Sequence, residues 1–93
     1  MTSIFSSEAL SGEIALVTGA SRGIGASIAQ ELGNAGARVI GTATSQNGAD
    51  GISAALEGRG RGIVLNIADD QSVQAAIKDI EANEGSPSLL VNN

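Results

Sequence analysis

The sequence contains no cysteine, histidine, tyrosine or tryptophan among its 93 residues. Without cysteine the chain can form neither a disulfide framework nor a thiolate metal site. Without histidine it also lacks the base of a His-containing catalytic triad and the usual ligand of a catalytic zinc ion. The one aromatic residue is Phe5, which we predict to be a packing anchor. We therefore exclude a disulfide framework, a catalytic zinc site and a His-based triad, and we predict no metal site within this chain.

Basic residues are also few, with five Lys and Arg against ten Asp and Glu and a formal net charge of −5. This balance argues against a nucleic acid or an anionic membrane as partner, because both would favour a basic patch. No segment approaches the roughly 18 consecutive apolar residues that a membrane span needs. The N-terminus lacks the basic start and long apolar core of a secretory signal. We therefore expect a cytoplasmic protein.

Short apolar segments alternate with segments of helical periodicity along most of the chain. The predicted strands cover residues 13–18, 37–42, 62–67 and 89–91, and the predicted helices begin near residues 24, 49 and 70. Strands that alternate with helices form a parallel sheet with right-handed crossovers. If the third helix returns past the first strand, the strand order becomes 3-2-1-4. We therefore predict an α/β, Rossmann-like three-layer fold over residues 13–93, preceded by a loose arm over residues 1–12.

A glycine-rich turn, Thr18-Gly19-Ala20-Ser21-Arg22-Gly23-Ile24-Gly25, joins the first predicted strand to the first helix. Its glycine spacing matches neither the general dinucleotide fingerprint nor the P-loop. The first N–H groups of a helix have no partner within it, however, and attract anions together with the helix dipole. The predicted strand order puts this turn in the crevice where open α/β sheets bind ligands. We therefore predict that the turn holds the pyrophosphate of a dinucleotide; the alternative is a turn whose glycines only allow tight packing.

The segment after the second predicted strand contains no acidic residue, and the nearest one is Asp50. In dinucleotide-binding units an acid near this point binds the ribose 2′-OH of NAD, whereas a nearby Arg accommodates the 2′-phosphate of NADP. Arg22 can reach the same region with a charge-assisted bond, and the hydroxyls of Thr44 and Ser45 do not repel a phosphate. We therefore predict NADP rather than NAD. The alternative is that Arg22 is solvated and the hydroxyl residues only fill strand positions.

Polar residues near the third predicted strand allow two interpretations each. Asn66 ends that strand and either contacts an adenine or caps a turn. Asp69 and Asp70 either form a metal pair or cap the helix that follows, and we predict capping.

The remaining polar candidates lie at the end of the chain and before the third strand. Asn92 and Asn93 follow the fourth predicted strand and either bond the backbone across the cleft or contact the ribose of a cofactor. Arg59 and Arg61 flank glycines in a predicted turn, where we expect solvated charges.

These motifs resemble the short-chain dehydrogenase/reductase family. Residues 18–25 look like its TGxxxGxG cofactor signature, and Asn92-Asn93 looks like the start of its NNAG motif, without the Ala-Gly. The resemblance covers residues 13–93. Within the family, residues 13–25 together with 39–45 and Asn47-Gly48 are similar to the bacterial 3-oxoacyl-[acyl-carrier-protein] reductases.

The resemblance implies the NADPH-dependent reduction of 3-oxoacyl groups on acyl-carrier protein in fatty-acid synthesis, by an enzyme that forms homo-oligomers. It implies that the turn lines the NADP(H) phosphates and that Thr44 lies near the adenosine 2′-phosphate. It further implies that Asn66 and Ile67 contact the adenine side and that Asn93 lies near the ribose. The implied cofactor-binding residues are Gly19, Ala20, Ser21, Arg22, Gly23, Ile24, Gly25, Thr44, Asn66, Ile67 and Asn93.

The resemblance also shows what this chain lacks. The family's chemistry uses a Tyr-x-x-x-Lys pair with a Ser and a further Asn, all downstream of the NNAG motif, and this chain has no tyrosine. We therefore expect a truncated cofactor-binding half that is inactive alone. The alternatives are a non-catalytic nucleotide-binding fragment, whose strand at 89–91 would be an unpaired, aggregation-prone edge, and a family member that acts on a different carbonyl substrate.

Overall fold

The computed structural model describes residues 9–93, which form a parallel four-stranded sheet and three helices. The strands are β1 (Ile14–Val17), β2 (Arg38–Ala43), β3 (Gly60–Val64) and β4 (Leu89–Val91), and the helices are α1 (Gly23–Asn34), α2 (Gln46–Leu56) and α3 (Asp70–Asn83). The strand order is β3-β2-β1-β4, which confirms the predicted 3-2-1-4 order and the Rossmann-like α/β fold. Phe5 and residues 1–8 of the predicted arm lie outside the described residues.

The helices lie on both faces of the sheet. Successive residues of a strand point to opposite faces, so each face of the sheet presents its own apolar side chains for helices to cover. On one face, α1 and α2 pack against β1 and β2 in a cluster that includes Ala15, Val17, Ala29, Val39, Ile52 and Leu56. On the opposite face, Leu16 and Ile40 pack against Ile80 of α3. The first two crossovers therefore share one face and the third uses the other, as the sequence predicts.

The face covered by α3 is the more open one. Within α3 only Ile80 is buried, whereas α1 and α2 each bury three residues. Leu90 of β4 is 67% exposed, and Ile67, before α3, is 63% exposed. A parallel sheet is usually covered on both faces. Within residues 9–93, the α3 face is only partly covered.

The helix α2 begins earlier than the predicted start near Ala49. Ser45 is its N-cap, and the Ser45 hydroxyl accepts a hydrogen bond from the backbone N–H of Gly48 at 3.1 Å. Asn47 and Gly48 are common turn residues, which is why the sequence predicts a loop here. The structure instead uses them as the first turn of a capped helix.

The strand β3 begins before the predicted residue 62, so the predicted turn over residues 59–62 is wrong. The chain instead turns at Glu57 and Gly58, whose φ angles of 51° and 87° are in the left-handed region. Gly62 lies within β3, where a Cβ would overlap the carbonyl oxygen of Ala49 in α2. The glycine that suggests a turn in the sequence therefore allows α2 to lie close against the sheet.

The prediction that Arg59 and Arg61 are solvated is also wrong. Arg61, in β3, donates to both carboxylate oxygens of Glu84 at 2.8 and 3.0 Å and lies 2.9 Å from a carboxylate oxygen of Asp79. The hydrogen bond to Glu84 raises the pKa of Arg61 above its ordinary value, and burial opposes this rise. Arg59 donates to the side chain of Asn34. Arg61 thus joins the sheet edge to the C-terminal end of α3.

Candidate cofactor-binding site

A cleft of about 350 Å³ opens at the carboxyl ends of β1, β2 and β3. The predicted site residues that line it are Gly19, Ser21, Thr44, Asn66, Ile67 and Asn93. No residue that lines the cleft is acidic, although the chain has a formal net charge of −5. The acidic side chains of the described residues are therefore distributed so that none of them lines the cleft, which favours an anionic ligand.

The N-terminus of α1 differs from those of the other two described helices. Ser45 caps α2, and Asp69 caps α3 by accepting hydrogen bonds from the backbone N–H groups of Gln71 and Ser72. The N-cap residue of α1 is Arg22, which makes no side-chain cap hydrogen bond, and the first turn of α1 contains no acidic residue. The first N–H groups of a helix need a partner from outside it. At α1 they remain available to an anion.

The three glycines of the turn serve two different geometrical needs. Gly19 and Gly23 have φ angles of 63° and 67°, in the left-handed region that side chains other than glycine rarely adopt. Gly25 is a helical residue, but a Cβ there would overlap the carbonyl oxygen of Gly19 and lie 2.8 Å from Nδ2 of Asn93. The turn therefore packs tightly against the start of α1. The backbone angles and this packing together account for the spacing of its three glycines.

The end of β4 is bonded to the turn. The backbone N–H of Asn93 donates to the Thr18 hydroxyl at 3.0 Å, and Nδ2 of Asn93 donates to the carbonyl oxygen of Gly19 at 3.3 Å. The Thr18 hydroxyl also lies 3.3 Å from Oδ1 of Asn92, to which it can donate. The Asn93 side chain thus bonds the backbone of the turn and the Asn92 side chain meets that of Thr18, while contact of Asn93 with a ribose stays a prediction.

The loop after β3 forms the opposite wall of the cleft. Oδ1 of Asn66 accepts a hydrogen bond from the backbone N–H of Ala68 at 3.1 Å, and the Asn66 N–H donates to the Ser72 hydroxyl at 3.1 Å. The interpretation of Asn66 as a turn cap is therefore confirmed. Because Asn66 also lines the cleft beside the exposed Ile67, contact with a ligand stays a prediction.

The other predicted site residues belong to the turn but do not line the cleft. Ala20 is buried, and its N–H donates to the carbonyl oxygen of Thr42 at 2.9 Å. Arg22 and Ile24 are exposed at the start of α1. A contact of Arg22 with a cofactor stays a prediction.

Thr18 and Thr42 line the cleft but are not among the predicted cofactor-binding residues, although Thr18 is the first residue of the predicted signature. Each lies at the carboxyl end of a strand, the edge at which parallel sheets bind ligands. A polar residue at the end of an otherwise apolar strand is the signal that would have found both.

The acidic residues near α3 have a structural role. The Asp69 carboxylate caps α3 at 3.0 Å from the N–H of Gln71, which confirms capping rather than a metal pair. Residues 9–93 contain no group of three His, Cys, Asp or Glu side chains arranged to hold a metal ion. In the same part of the chain, no helix is long and apolar enough to cross a membrane.

Comparison with known proteins identifies relatives of this chain. Residues 13–93 match the family model described as short chain dehydrogenase. The chain is 51% identical to the 3-oxoacyl-[acyl-carrier-protein] reductase FabG of Haemophilus influenzae over 84 residues, which cover 90% of this chain and 35% of the relative. It is 54% identical to FabG of Escherichia coli over 82 residues (88% and 34%) and 52% identical to FabG of Pseudomonas aeruginosa over 87 residues (90% and 35%).

The chain thus spans about a third of the length of these relatives. The matched region contains every strand and helix described above, including the turn and the cleft. The chain belongs to the short-chain dehydrogenase family.

Proposed function

We propose that this chain binds NADP(H) as the cofactor-binding part of an NADPH-dependent 3-oxoacyl-[acyl-carrier-protein] reductase. The observation that carries the proposal is the uncapped N-terminus of α1, beside a cleft that no acidic side chain of the described residues lines. A helix N-terminus of this kind attracts a pyrophosphate through its free N–H groups and its dipole. The proposed contacts are the N–H groups of the turn from Ser21 to Gly25.

Residues in the turn and just after β2 support NADP over NAD. Arg22 carries a positive charge beside the turn, and Thr44 lies exposed at the end of β2. The Ser45 hydroxyl accepts the cap hydrogen bond from Gly48 and still has its own hydrogen to donate. The carboxylate that is nearest to the end of β2 along the chain, on Asp50, accepts a hydrogen bond from the Gln46 side chain at 2.8 Å and does not line the cleft. A 2′-phosphate would therefore meet donors and no acid.

The adenine and the ribose are assigned to the two walls of the cleft. Ile67 offers an exposed apolar surface on which a base can lie, and Asn66 beside it is held by its turn. On the other wall, Asn93 lies within hydrogen-bonding distance of Gly19 and borders the cleft. This arrangement fits a ligand that extends from the turn toward β3.

The substrate proposal rests on the relatives, whose names state that they reduce 3-oxoacyl groups on acyl-carrier protein. Bound NADPH supplies a hydride for the reduction of a carbonyl group. The residues of this chain would bind and orient the cofactor. Because the 93 residues include no tyrosine and no histidine, we propose that the chain alone does not turn over substrate.

Isothermal titration calorimetry of the 93-residue chain with NADP+ and NAD+ tests the cofactor. One charge-assisted hydrogen bond contributes about 1.5–3 kcal/mol, so we expect NADP+ to bind at least about tenfold more tightly than NAD+. In Arg22→Gln the two affinities should approach each other, while Arg38→Gln, on the far end of β2, should keep the preference. Equal affinity for the two cofactors in the unmodified chain would contradict the NADP assignment.

A second assay tests the proposed inactivity. NADPH absorbance is followed in the presence of the chain and an acetoacetyl thioester, with no change expected. Oxidation of NADPH at a rate that depends on the thioester would show that the chain contains its own catalytic group. A different carbonyl substrate for the whole protein remains the second candidate, and formation of a homo-oligomer stays a prediction.

A further inference from the structure

The glycine turn is bonded to β2 through a single buried residue, Thr42. Thr42 is 3% exposed, although it forms part of the floor of the cleft. Its hydroxyl accepts a hydrogen bond from the backbone N–H of Gly19 at 3.2 Å. Its carbonyl oxygen accepts another from the backbone N–H of Ala20 at 2.9 Å. Two successive N–H groups of the turn are therefore held by the same residue.

The need for a side-chain acceptor follows from the strand register. The last paired residue of β1 is Val17, which lies opposite Gly41, so β2 continues past the end of β1. Beyond Val17 the backbone no longer follows the strand pairing of β1 with β2, because Gly19, with a φ of 63°, turns the chain away. A backbone N–H that leaves the ladder still needs an acceptor. The Thr42 hydroxyl provides that acceptor for Gly19, and the carbonyl of the same residue provides one for Ala20.

The two bonds also decide which N–H groups face a ligand. Those of Gly19 and Ala20 are occupied by Thr42, whereas those from Ser21 to Gly25 lie just before and within the uncapped first turn of α1. An anion site that uses backbone donors depends on their orientation, because each hydrogen bond weakens steeply when it is bent. Fixing the first part of the turn therefore fixes the direction in which the remaining donors point.

We propose that Thr42 is a positioning residue for the pyrophosphate of the cofactor, acting through Gly19 and Ala20. This inference rests on the proposed binding of NADP(H). Part of the affinity for the cofactor then depends on the hydroxyl group of Thr42, and not only on the volume of its side chain.

The test compares Thr42→Val with Thr42→Ser in the 93-residue chain. Valine keeps the shape and the strand preference of threonine but removes the acceptor, whereas serine keeps the acceptor. We expect Thr42→Val to weaken NADP+ binding about tenfold, since one hydrogen bond is lost and the turn is released, and Thr42→Ser to stay within about twofold of the unmodified chain. Urea unfolding of both variants measures the change in stability separately.

Two further readouts separate positioning from a general structural role. Adenosine has neither the pyrophosphate nor the 2′-phosphate that Arg22 of the turn would bind, so its affinity should be equal in the unmodified chain and in Thr42→Val. Amide hydrogen exchange at Gly19 should accelerate in Thr42→Val and not in Thr42→Ser. If the valine variant does not fold, Thr42→Ala, which also removes the acceptor without a branched side chain, takes its place in the same comparison.

The outcomes distinguish this inference from the proposed function. A folded, unmodified chain that does not bind NADP+ contradicts the proposed function itself. Unchanged NADP+ affinity in Thr42→Val contradicts the role of Thr42 alone. A parallel loss of affinity for NADP+ and adenosine also contradicts it, because the effect would then not depend on the turn. An equal loss in the serine variant contradicts it as well, because the effect would then not depend on the hydroxyl.

Discussion

Nδ2 of Asn93 donates a hydrogen bond to the carbonyl oxygen of Gly19 at 3.3 Å, although 74 residues separate the two along the chain. This contact joins the end of β4 to the glycine turn and brings the same Nδ2 within 2.8 Å of the position that a Cβ at Gly25 would occupy. The three residues therefore form one packed unit at the edge of the cleft. The strand order β2-β1-β4 makes the contact possible, because it places β4 directly beside β1.

The packing of this unit predicts the effect of Gly25→Ala. The new methyl group would collide with the Gly19 carbonyl, and overpacking of this kind costs about 1–3 kcal/mol. We expect that loss in the free energy of unfolding by urea, together with weaker NADP+ binding because the turn must move. Gly51→Ala in α2 is the matched control, since a Cβ at Gly51 meets nothing within 4 Å.

The control should change stability in the opposite direction. Alanine is favoured over glycine in a helix by about 0.5–1 kcal/mol, so Gly51→Ala should stabilise the chain and leave NADP+ affinity unchanged. Equal stability changes in Gly25→Ala and Gly51→Ala would show that Gly25 is not constrained by the turn.

The ion pairs of Arg61 predict how α3 is held on the sheet. Arg61→Met leaves the Glu84 carboxylate without its partner, and the Glu84 side chain is only 6% exposed. Removing one partner of such a hydrogen-bonded pair costs about 1–3 kcal/mol, measured as a loss of stability in urea unfolding. Asp79→Asn is the control, because the Asp79 side chain is 45% exposed and an exposed pair contributes less than about 1 kcal/mol. A larger effect of Asp79→Asn than of Arg61→Met would contradict this account.

The cap of α3 makes a separate prediction. Asp69→Ala removes the acceptor for the N–H groups of Gln71 and Ser72 and should destabilise the chain by about 1 kcal/mol. Asp69→Ser keeps a capping oxygen and should restore most of this loss. Thermal unfolding followed by circular dichroism gives both values. If alanine and serine were equally destabilising, the Asp69 carboxylate would have a role other than capping.

The cofactor preference can be tested by introducing the acid that the end of β2 lacks. Thr44→Asp places a carboxylate at the rim of the cleft, where it should repel a 2′-phosphate and accept a bond from a ribose hydroxyl. We expect the ratio of NADP+ to NAD+ affinity to fall by about tenfold or more. Thr44→Asn, of similar size and no charge, is the control. An unchanged ratio in Thr44→Asp would place the 2′-phosphate away from Thr44.

Much of the fold can be predicted from the order of apolar and helical segments. The strand order, the two-sided arrangement of the helices and the cap at Asp69 follow from local patterns and from the rules for parallel crossovers. The start of α2 and the position of β3 could not be predicted in the same way. Ser45 caps α2 in spite of a turn-like sequence, and Gly62 is a strand residue because α2 lies against it.

The candidate site, too, could be predicted only in part from the sequence. The turn is visible in the sequence, because its glycines fall between an apolar segment and a helix. The hydrogen bonds of Thr42 to the turn and the ion pairs of Arg61 with α3 join residues that are distant in the chain, so only the tertiary structure shows them. Thr18 and Thr42 of the cleft lie at the carboxyl ends of apolar segments, and this position is the only local signal of their place in the site.

The most direct test of the central claim is a titration of the 93-residue chain with NADP+, followed by the amide NMR signals of individual residues. If the turn binds the pyrophosphate, the amides from Ser21 to Gly25 shift and saturate together with those of Asn66 and Ile67. The amide signals of residues on the α3 face, such as Leu90, should not shift. Saturable shifts elsewhere without any at the turn, or no shift in a folded chain, would contradict the account.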